Sequence, residues 1–243
     1  MRIYINWHEC YNEVLRDLAE MGITVKPKTM QDKVVEGNPD YETKELQNYS
    51  YTLLNAKSSE IEGVTQPWAD AEFKERVTDP WDRNKDGYAY KGFLPMFVNP
   101  GEAWKLREDV WSEYIHSGKF GYTYNEMLWN QDQLTSIVNR IKEDPDSRQL
   151  WLSLWDPCKY IDRIGGHGRV PCSLGYNFQV RNGKLNMHYV MRSCDFVTHF
   201  RNDVYLAIKL LEWVASKTGY EVGNFTHTMF SLHIYKKDSK GVF

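Results

Sequence analysis

Apolar positions along the chain follow two different periods. In WHECYNEVLRDLAEMG (residues 7–22), Tyr11, Val14, Leu15 and Leu18 recur at three- and four-residue spacing, so they share one helical face, and Gly22 is a natural stop. LWNQDQLTSIVNRIKEDPD (128–146) repeats the device with Leu134, Ile137, Val138 and Ile141, and Pro145 ends it. The period then drops to two. RQLWLSLW (148–155) alternates, and LGYNFQV and KLNMHYVMR flank RNGK, where Asn182-Gly183 is the strongest short hairpin signal. DVYLAIKLLEWVASKTG (203–219) predicts a long buried helix closed by Gly219, and NFTHTMFSLHIY (224–235) a last strand. These elements predict an α+β fold: a mostly antiparallel sheet with helices packed on one side, in one domain over 1–243. Residues 59–104, rich in Trp, Pro, Asp and Gly, break both periods and read as an irregular, insertion-like segment.

Composition narrows the class. With 243 residues, 42% hydrophobic and 14% aromatic, the chain can bury a sizeable core. A net charge of −3 gives no general affinity for nucleic acid or an anionic membrane surface. No apolar run approaches the ~20 residues that span a bilayer. Cys10, Cys158, Cys172 and Cys194 form no CxxC pair and no zinc spacing, and no secretory leader opens the chain, so a reduced, cytoplasmic protein without a metal is expected. DRNKDG (82–87) imitates the start of a calcium loop, but the twelfth position is Phe93 rather than a bidentate carboxylate, so it reads as a surface turn. NYS and NFT are glycosylation sequons only in a secreted chain.

Several polar residues sit where an ordinary core would not need them. Cys172 stands at a strand entrance in RVPCSLGYNFQV. Arg148 lies at a helix–strand junction; Arg192, Ser193 and Asp195 end a strand in MRSCD; Asp203 falls at the start of the long helix in FRND; His233 and Tyr235 share one face of the last strand. Singly, these are a filler thiol, surface cations, a helix N-cap and a core histidine. Together they are a thiol, two phosphate-competent guanidiniums, carboxylates and a His/Tyr pair, which suits an anionic ligand with a polar ring.

In order and wording, EDPDSRQLWLSLWDP, VPC, GKLNMHYVMRSCDFV and KTGYEVGNFTHTMFSLHIY resemble the thymidylate synthase family. The intervals agree as well: Cys172 to Arg192 (192 − 172 = 20), Asp195 to Asp203 (203 − 195 = 8) and Asp203 to His233 (233 − 203 = 30). The resemblance is strong from about 105 to 235 and thin before that, where YETKELQNY looks like the family's helix with an essential glutamate.

The resemblance implies a thymidylate-synthase-like dimer, with a sheet face as its interface, acting on a pyrimidine nucleoside monophosphate with 5,10-methylenetetrahydrofolate. Cys172 would add to pyrimidine C6 so that C5 can attack the folate's methylene. Its pKa would be lowered by Arg192 and by an Arg148 reaching across from the partner. These two arginines and Ser193 would hold the phosphate, Asp195 and Trp111 the folate, His233 and Tyr235 the sugar. Glu45 would organise water, and Tyr124 would stand near the C5 proton.

Departures from the family pattern choose the substrate. The base-reading asparagine of thymidylate synthases is here Asp203. An ionised carboxylate only accepts, so it faces uracil O4 with repulsion but pairs with cytosine N4 and a protonated N3; the preference is on the order of 2 kcal/mol. Deoxycytidylate hydroxymethylases of phage share the FRND wording, and in them water ends the reaction. The expectation is therefore folate-dependent 5-hydroxymethylation of dCMP, or of CMP. The alternatives are C5 methylation of dCMP or dUMP, and a non-catalytic nucleotide-binding relic. Gln149 replaces the second of two adjacent arginines, Ser173 replaces a histidine, and only eight residues follow Tyr235 (243 − 235 = 8), shortening the segment that closes over folate.

Overall fold

The computed structural model describes residues 2–82, 89–90, 101–112 and 121–240. Asn84, Asp86, Gly87 and Phe93 of the calcium-like stretch lie outside the described residues.

The first elements are β1 (Arg2–Tyr4), α1 (Trp7–Met21), β2 (Ile23–Val25), β3 (Thr29–Met30), β4 (Lys33–Val34) and β5 (Thr43–Leu53). The middle contributes α2 (Trp68–Val77), β6 (Trp81–Asp82), β7 (Ala89–Tyr90), α3 (Glu102–Leu106), α4 (Glu108–Trp111), α5 (Tyr124–Leu128) and α6 (Gln133–Glu143). Then come β8 (Trp151–Ser153), α7 (Pro157–Tyr160), β9 (Ser173–Arg181), β10 (Lys184–Met191), β11 (Cys194–Asp195), α8 (Phe200–Thr218) and β12 (Glu221–Tyr235).

Among the described residues, one sheet runs β1-β5-β12-β10-β9-β8, with β11 also paired to β12 and β2 to β5. The pairs β5–β12, β9–β10, β8–β9 and β2–β5 are antiparallel; β1–β5, β10–β12 and β11–β12 are parallel. The fold is α+β with a mixed sheet. One face carries Tyr176, Phe178, Leu185, Met187, Tyr189, Phe225 and Met229, all buried, and α1 and α8 pack against the sheet. The opposite face is half-exposed and polar: His188 Nε2 meets Thr228 Oγ1 at 2.8 Å, and Ser50 Oγ meets the same hydroxyl at 3.0 Å.

The hairpin forms as its turn chemistry predicts. Asn182 (φ 52°) and Gly183 (φ 74°) both take positive φ, the type I′ requirement, and Arg181 pairs with Lys184. The stripe on α6 is buried at Leu134, Ile137, Val138 and Ile141. α1 turns slightly from its predicted face: Trp7, Cys10, Val14 and Leu18 are buried, while Tyr11 and Leu15 pack at the margin. Gly22 does stop this helix, but not with left-handed backbone. Its φ is −64°, and a Cβ there would lie 2.4 Å from the Leu18 carbonyl oxygen.

Two expectations are corrected. YETKELQNY is not an α-helix: past Tyr41, which ends a 3-10 turn, residues 43–53 form β5, zipped between β12 and β1, because sheet pairing overrides weak local preference. The 59–104 stretch is not wholly irregular, since it holds α2. That helix has no apolar stripe; it buries Trp68, Ala69 and Ala71 near its start, so periodicity could not reveal it.

Candidate active site

A cavity of about 630 Å³ opens at the end of the sheet where β9, β10 and β11 meet the start of α8. It is lined by Cys172, Arg192, Ser193, Asp195, Asp203, His233, Tyr235, Glu45, Tyr124 and Trp111, so it gathers every residue picked from the sequence except Arg148. Arg148 is exposed and does not line this cavity, and neither does its neighbour Gln149.

Cys172 lies one residue before β9, and the hairpin brings Arg192 opposite it. The Arg192 N–H donates to the Cys172 carbonyl at 2.8 Å. The guanidinium is anchored by Nε to the Pro171 carbonyl (2.9 Å) and Nη2 to the Val170 carbonyl (3.2 Å), which sets Nη2 3.7 Å from the sulfur. Gln31 Nε2 lies 3.7 Å from the sulfur too. The expected lowering of the thiol's pKa is corrected. Burial pushes the Cys172 thiol above its ordinary value, and Arg192 and Arg169 only partly offset this, with Asp203 and Asp195 opposing them.

Asp203 is not the N-cap of its helix. α8 starts at Phe200 with His199 at the cap position, so Asp203 lies in the first turn but past the cap, and its carboxylate caps no backbone N–H. Burial raises its pKa to about 6, against the pull of His199 and Arg76. Cys194 Sγ approaches Oδ2 at 3.9 Å. Asp195 uses Oδ1 to accept from the Val197 and Thr198 N–H groups at 3.0 and 3.2 Å, which leaves Oδ2 available.

His233 and Glu45 are register partners across β12 and β5. Ser231 joins them, its hydroxyl donating to Glu45 Oε2 at 2.5 Å and lying 3.3 Å from His233 Nδ1. Burial lowers the pKa of His233, keeping the ring neutral, although Asp195 and Glu45 pull the other way. The Tyr235 ring meets His233 edge-on at 5.0 Å. Trp111 and Trp68 pack at 6.4 Å with Arg107 over both rings, which gives the cavity one aromatic wall.

Tyr124, at the first position of α5 behind its Thr123 cap, meets the Ser173 hydroxyl at 3.2 Å, and Ser173 in turn bonds the Tyr189 hydroxyl. Burial raises the pKa of Tyr124 and of Tyr189 well above the usual phenol value, so this is a chain of neutral hydroxyls. Arg76 lies 4.1 Å over the Tyr124 ring and pairs with Glu72 at 2.7 Å.

Sequence reasoning missed Gln31, Glu72, Arg76 and Arg169, all cavity-lining. Glu72 and Arg76 carried one faint signal, an i,i+4 pair on an unrecognised helix. Gln31 carried none, since it arrives from a turn between β3 and β4. Among the described residues, no three His, Cys, Asp or Glu side chains are placed to hold a metal, and no helix is long and apolar enough to cross a membrane.

Comparison with known proteins identifies the family and the fold. The family model described as thymidylate synthase matches residues 97–242. A Methanosarcina acetivorans protein provisionally named thymidylate synthase is 32% identical over 145 residues, covering 56% of this chain and 65% of its own length, just under two thirds. A Methanosarcina barkeri protein of the same provisional name is 27% identical over 236 residues, covering 92% of this chain and 94% of its own. The structure of thermostable thymidylate synthase A from Bacillus subtilis superposes with a TM-score of 0.70 at 18% identity, covering 96% of this chain and 81% of that one.

Proposed function

The chain belongs to the thymidylate synthase family, and from that premise we propose that it transfers a one-carbon unit from methylenetetrahydrofolate to C5 of a cytidine monophosphate. Deoxycytidylate is the preferred substrate, CMP is also accepted, and water completes the reaction to give 5-hydroxymethylcytosine nucleotide.

The observation that carries this reading is the chemistry of Asp203: a partly buried acid on the cavity wall, free of any capping duty, with a pKa of about 6. Cytosine N3 is a ring nitrogen basic enough to share a proton with such a carboxyl, while N4–H donates to the other oxygen. Uracil O4 is far less basic and would face the ionised form as acceptor against acceptor.

The remaining residues fit one sequence of steps. Methylenetetrahydrofolate supplies a carbon at the oxidation level of formaldehyde, and the aromatic wall of Trp111 with Asp195 Oδ2 suits a flat, N–H-bearing pterin. The Cys172 sulfur, as thiolate, bonds C6, which makes C5 nucleophilic. Arg192, which rests beside the sulfur, favours that thiolate and with Ser193 grips the phosphate. His233 and Tyr235 hold the sugar hydroxyl. Tyr124 takes part in removing the C5 proton as the bond between the transferred carbon and tetrahydrofolate breaks and tetrahydrofolate leaves, and Glu45, already bonded to Ser231, organises the water that adds to the resulting exocyclic methylene. Glu72 and Glu75 of α2 also face the cavity and share that role. Departure of the sulfur from C6 restores the ring.

Homodimerisation belongs to the same reading. The polar, half-exposed sheet face is its interface, and Arg148, exposed and outside its own cavity, reaches the partner's phosphate. A cytoplasmic setting is included, because all four cysteines are free.

The test is mass spectrometry of dCMP, CMP and dUMP incubated with the protein, formaldehyde and tetrahydrofolate. A gain of about 30 mass units on the cytosine nucleotides is the expected result, the mass of an added CH2O. A gain of about 14 would mean methylation, and no product on any nucleotide would mean a binding protein.

A further inference from the structure

We propose that Arg169 is a second in-chain ligand of the substrate's 5′-phosphate, paired with Arg192 and making up for the arginine that Gln149 does not provide. The inference rests on the nucleotide reading above, and it concerns a residue that reading does not use.

Arg192 cannot satisfy a phosphomonoester alone. Its Nε is committed to the Pro171 carbonyl and one Nη2 hydrogen to the Val170 carbonyl, so its remaining donors are few for three phosphate oxygens. It also carries one positive charge against a phosphate's −1.5 to −2. Within the same chain Arg148 is exposed and outside the cavity, and position 149 carries no charge. Besides the partner's Arg148, the chain's own cavity wall offers a further cation beside the sulfur: Arg169 lines the same cavity as Cys172 and Arg192.

The backbone beneath Arg169 is unusually well fixed. Arg163 Nη1 donates to the Arg169 carbonyl at 3.3 Å and to the Gly121 carbonyl at 3.1 Å. The next residue, Val170, donates its N–H to Gln31 Oε1 at 3.1 Å and accepts from Tyr122 Oη at 3.4 Å and from Arg192. One peptide segment therefore carries Arg169, positions Arg192 through two carbonyls, and ends in Cys172. A fixed main chain leaves only side-chain freedom to be lost when the guanidinium binds an anion. Arg169 and Arg192 both pull the Cys172 thiol downward, which sets both charges near the sulfur.

Calorimetric titration separates this role from a structural one. Wild type, Arg169→Gln and Arg169→Lys are titrated with dCMP, dUMP and deoxycytidine, with circular dichroism as a check on folding. Arg169→Gln should weaken both monophosphates by about 10- to 100-fold, leave deoxycytidine within about twofold, and be partly rescued in Arg169→Lys. Equal losses for nucleoside and nucleotide, or no loss for either nucleotide, would overturn the proposal. If wild type prefers dUMP to dCMP, the cytosine reading fails while the Arg169 result stands, since both ligands carry the phosphate. If wild type binds neither monophosphate, both fall together.

Discussion

Cys172 and Arg192 face each other across the open end of the β9–β10 hairpin: the Arg192 N–H donates to the Cys172 carbonyl at 2.8 Å, and its guanidinium Nη2 lies 3.7 Å from the sulfur. The thiol is nonetheless held above its ordinary pKa by burial, so the arginine offsets a penalty rather than creating a standing thiolate.

Alkylation of Cys172 by iodoacetamide, followed by peptide mass spectrometry against pH, should therefore rise at higher pH than for an ordinary thiol. Arg192→Gln should move the curve further up, since it removes the largest effect that lowers the pKa. A downward or absent movement would show that Arg192 does not act on the sulfur.

Asp203→Asn has an effect on stability as well as on base choice. An acid with a raised folded-state pKa stabilises the fold fully only below its unfolded value, near 3.8, and that contribution is lost as pH rises through about 6. The neutral amide carries no such loss. The variant should be more stable than wild type at pH 8, by up to about 3 kcal/mol, and the two should converge below pH 4. Thermal melts at the two pH values check this. Competition between dCMP and dUMP should shift toward dUMP in the same variant; unchanged preference would remove Asp203 from base reading.

Ser173→Ala interrupts the hydroxyl chain between Tyr124 and Tyr189. Release of tritium from C5-labelled dCMP should slow by about 10- to 100-fold, while KM for dCMP stays within about twofold because no substrate contact is removed. A rise in KM without slower exchange would make Ser173 a packing residue only. In Cys172→Ala, exchange should vanish, since it requires addition at C6.

Arg148→Ala and Cys172→Ala should each be inactive, yet mixing them after reversible denaturation should recover about a quarter of wild-type activity. Half of the resulting dimers carry one intact site when each site draws Arg148 from the partner. No recovery would mean that Arg148 serves its own chain or none.

What could be read in the chain was whatever depends on near neighbours. The Asn182-Gly183 turn fixes the register of β9 on β10, and a one-residue shift between Val190 and Met191, which the turn does not foretell, completes the approach of Arg192 to Cys172. The α6 stripe and the Gly219 stop at φ 83° are likewise set by local periodicity and backbone freedom. The misreadings occurred where local signal was weak. The helix that the resemblance of YETKELQNY implies is a strand: TKELQNYSYTL does not alternate cleanly, and pairing with strands from both ends of the chain decides its state. α2 escaped because its buried residues, Trp68, Ala69 and Ala71, crowd into the first turn and make no stripe.

By itself, then, the sequence determined the family, the hairpin and the order of site residues along the chain. Only the tertiary structure decided that Asp203 is a partly buried acid on the cavity wall rather than the cap of its helix, that burial outweighs arginine at Cys172, and that Gln31, Arg76 and Arg169 share the cavity. The physical reason is range. Turn chemistry and periodicity act over a few residues, whereas desolvation and the meeting of charges depend on segments far apart in sequence being packed against one another.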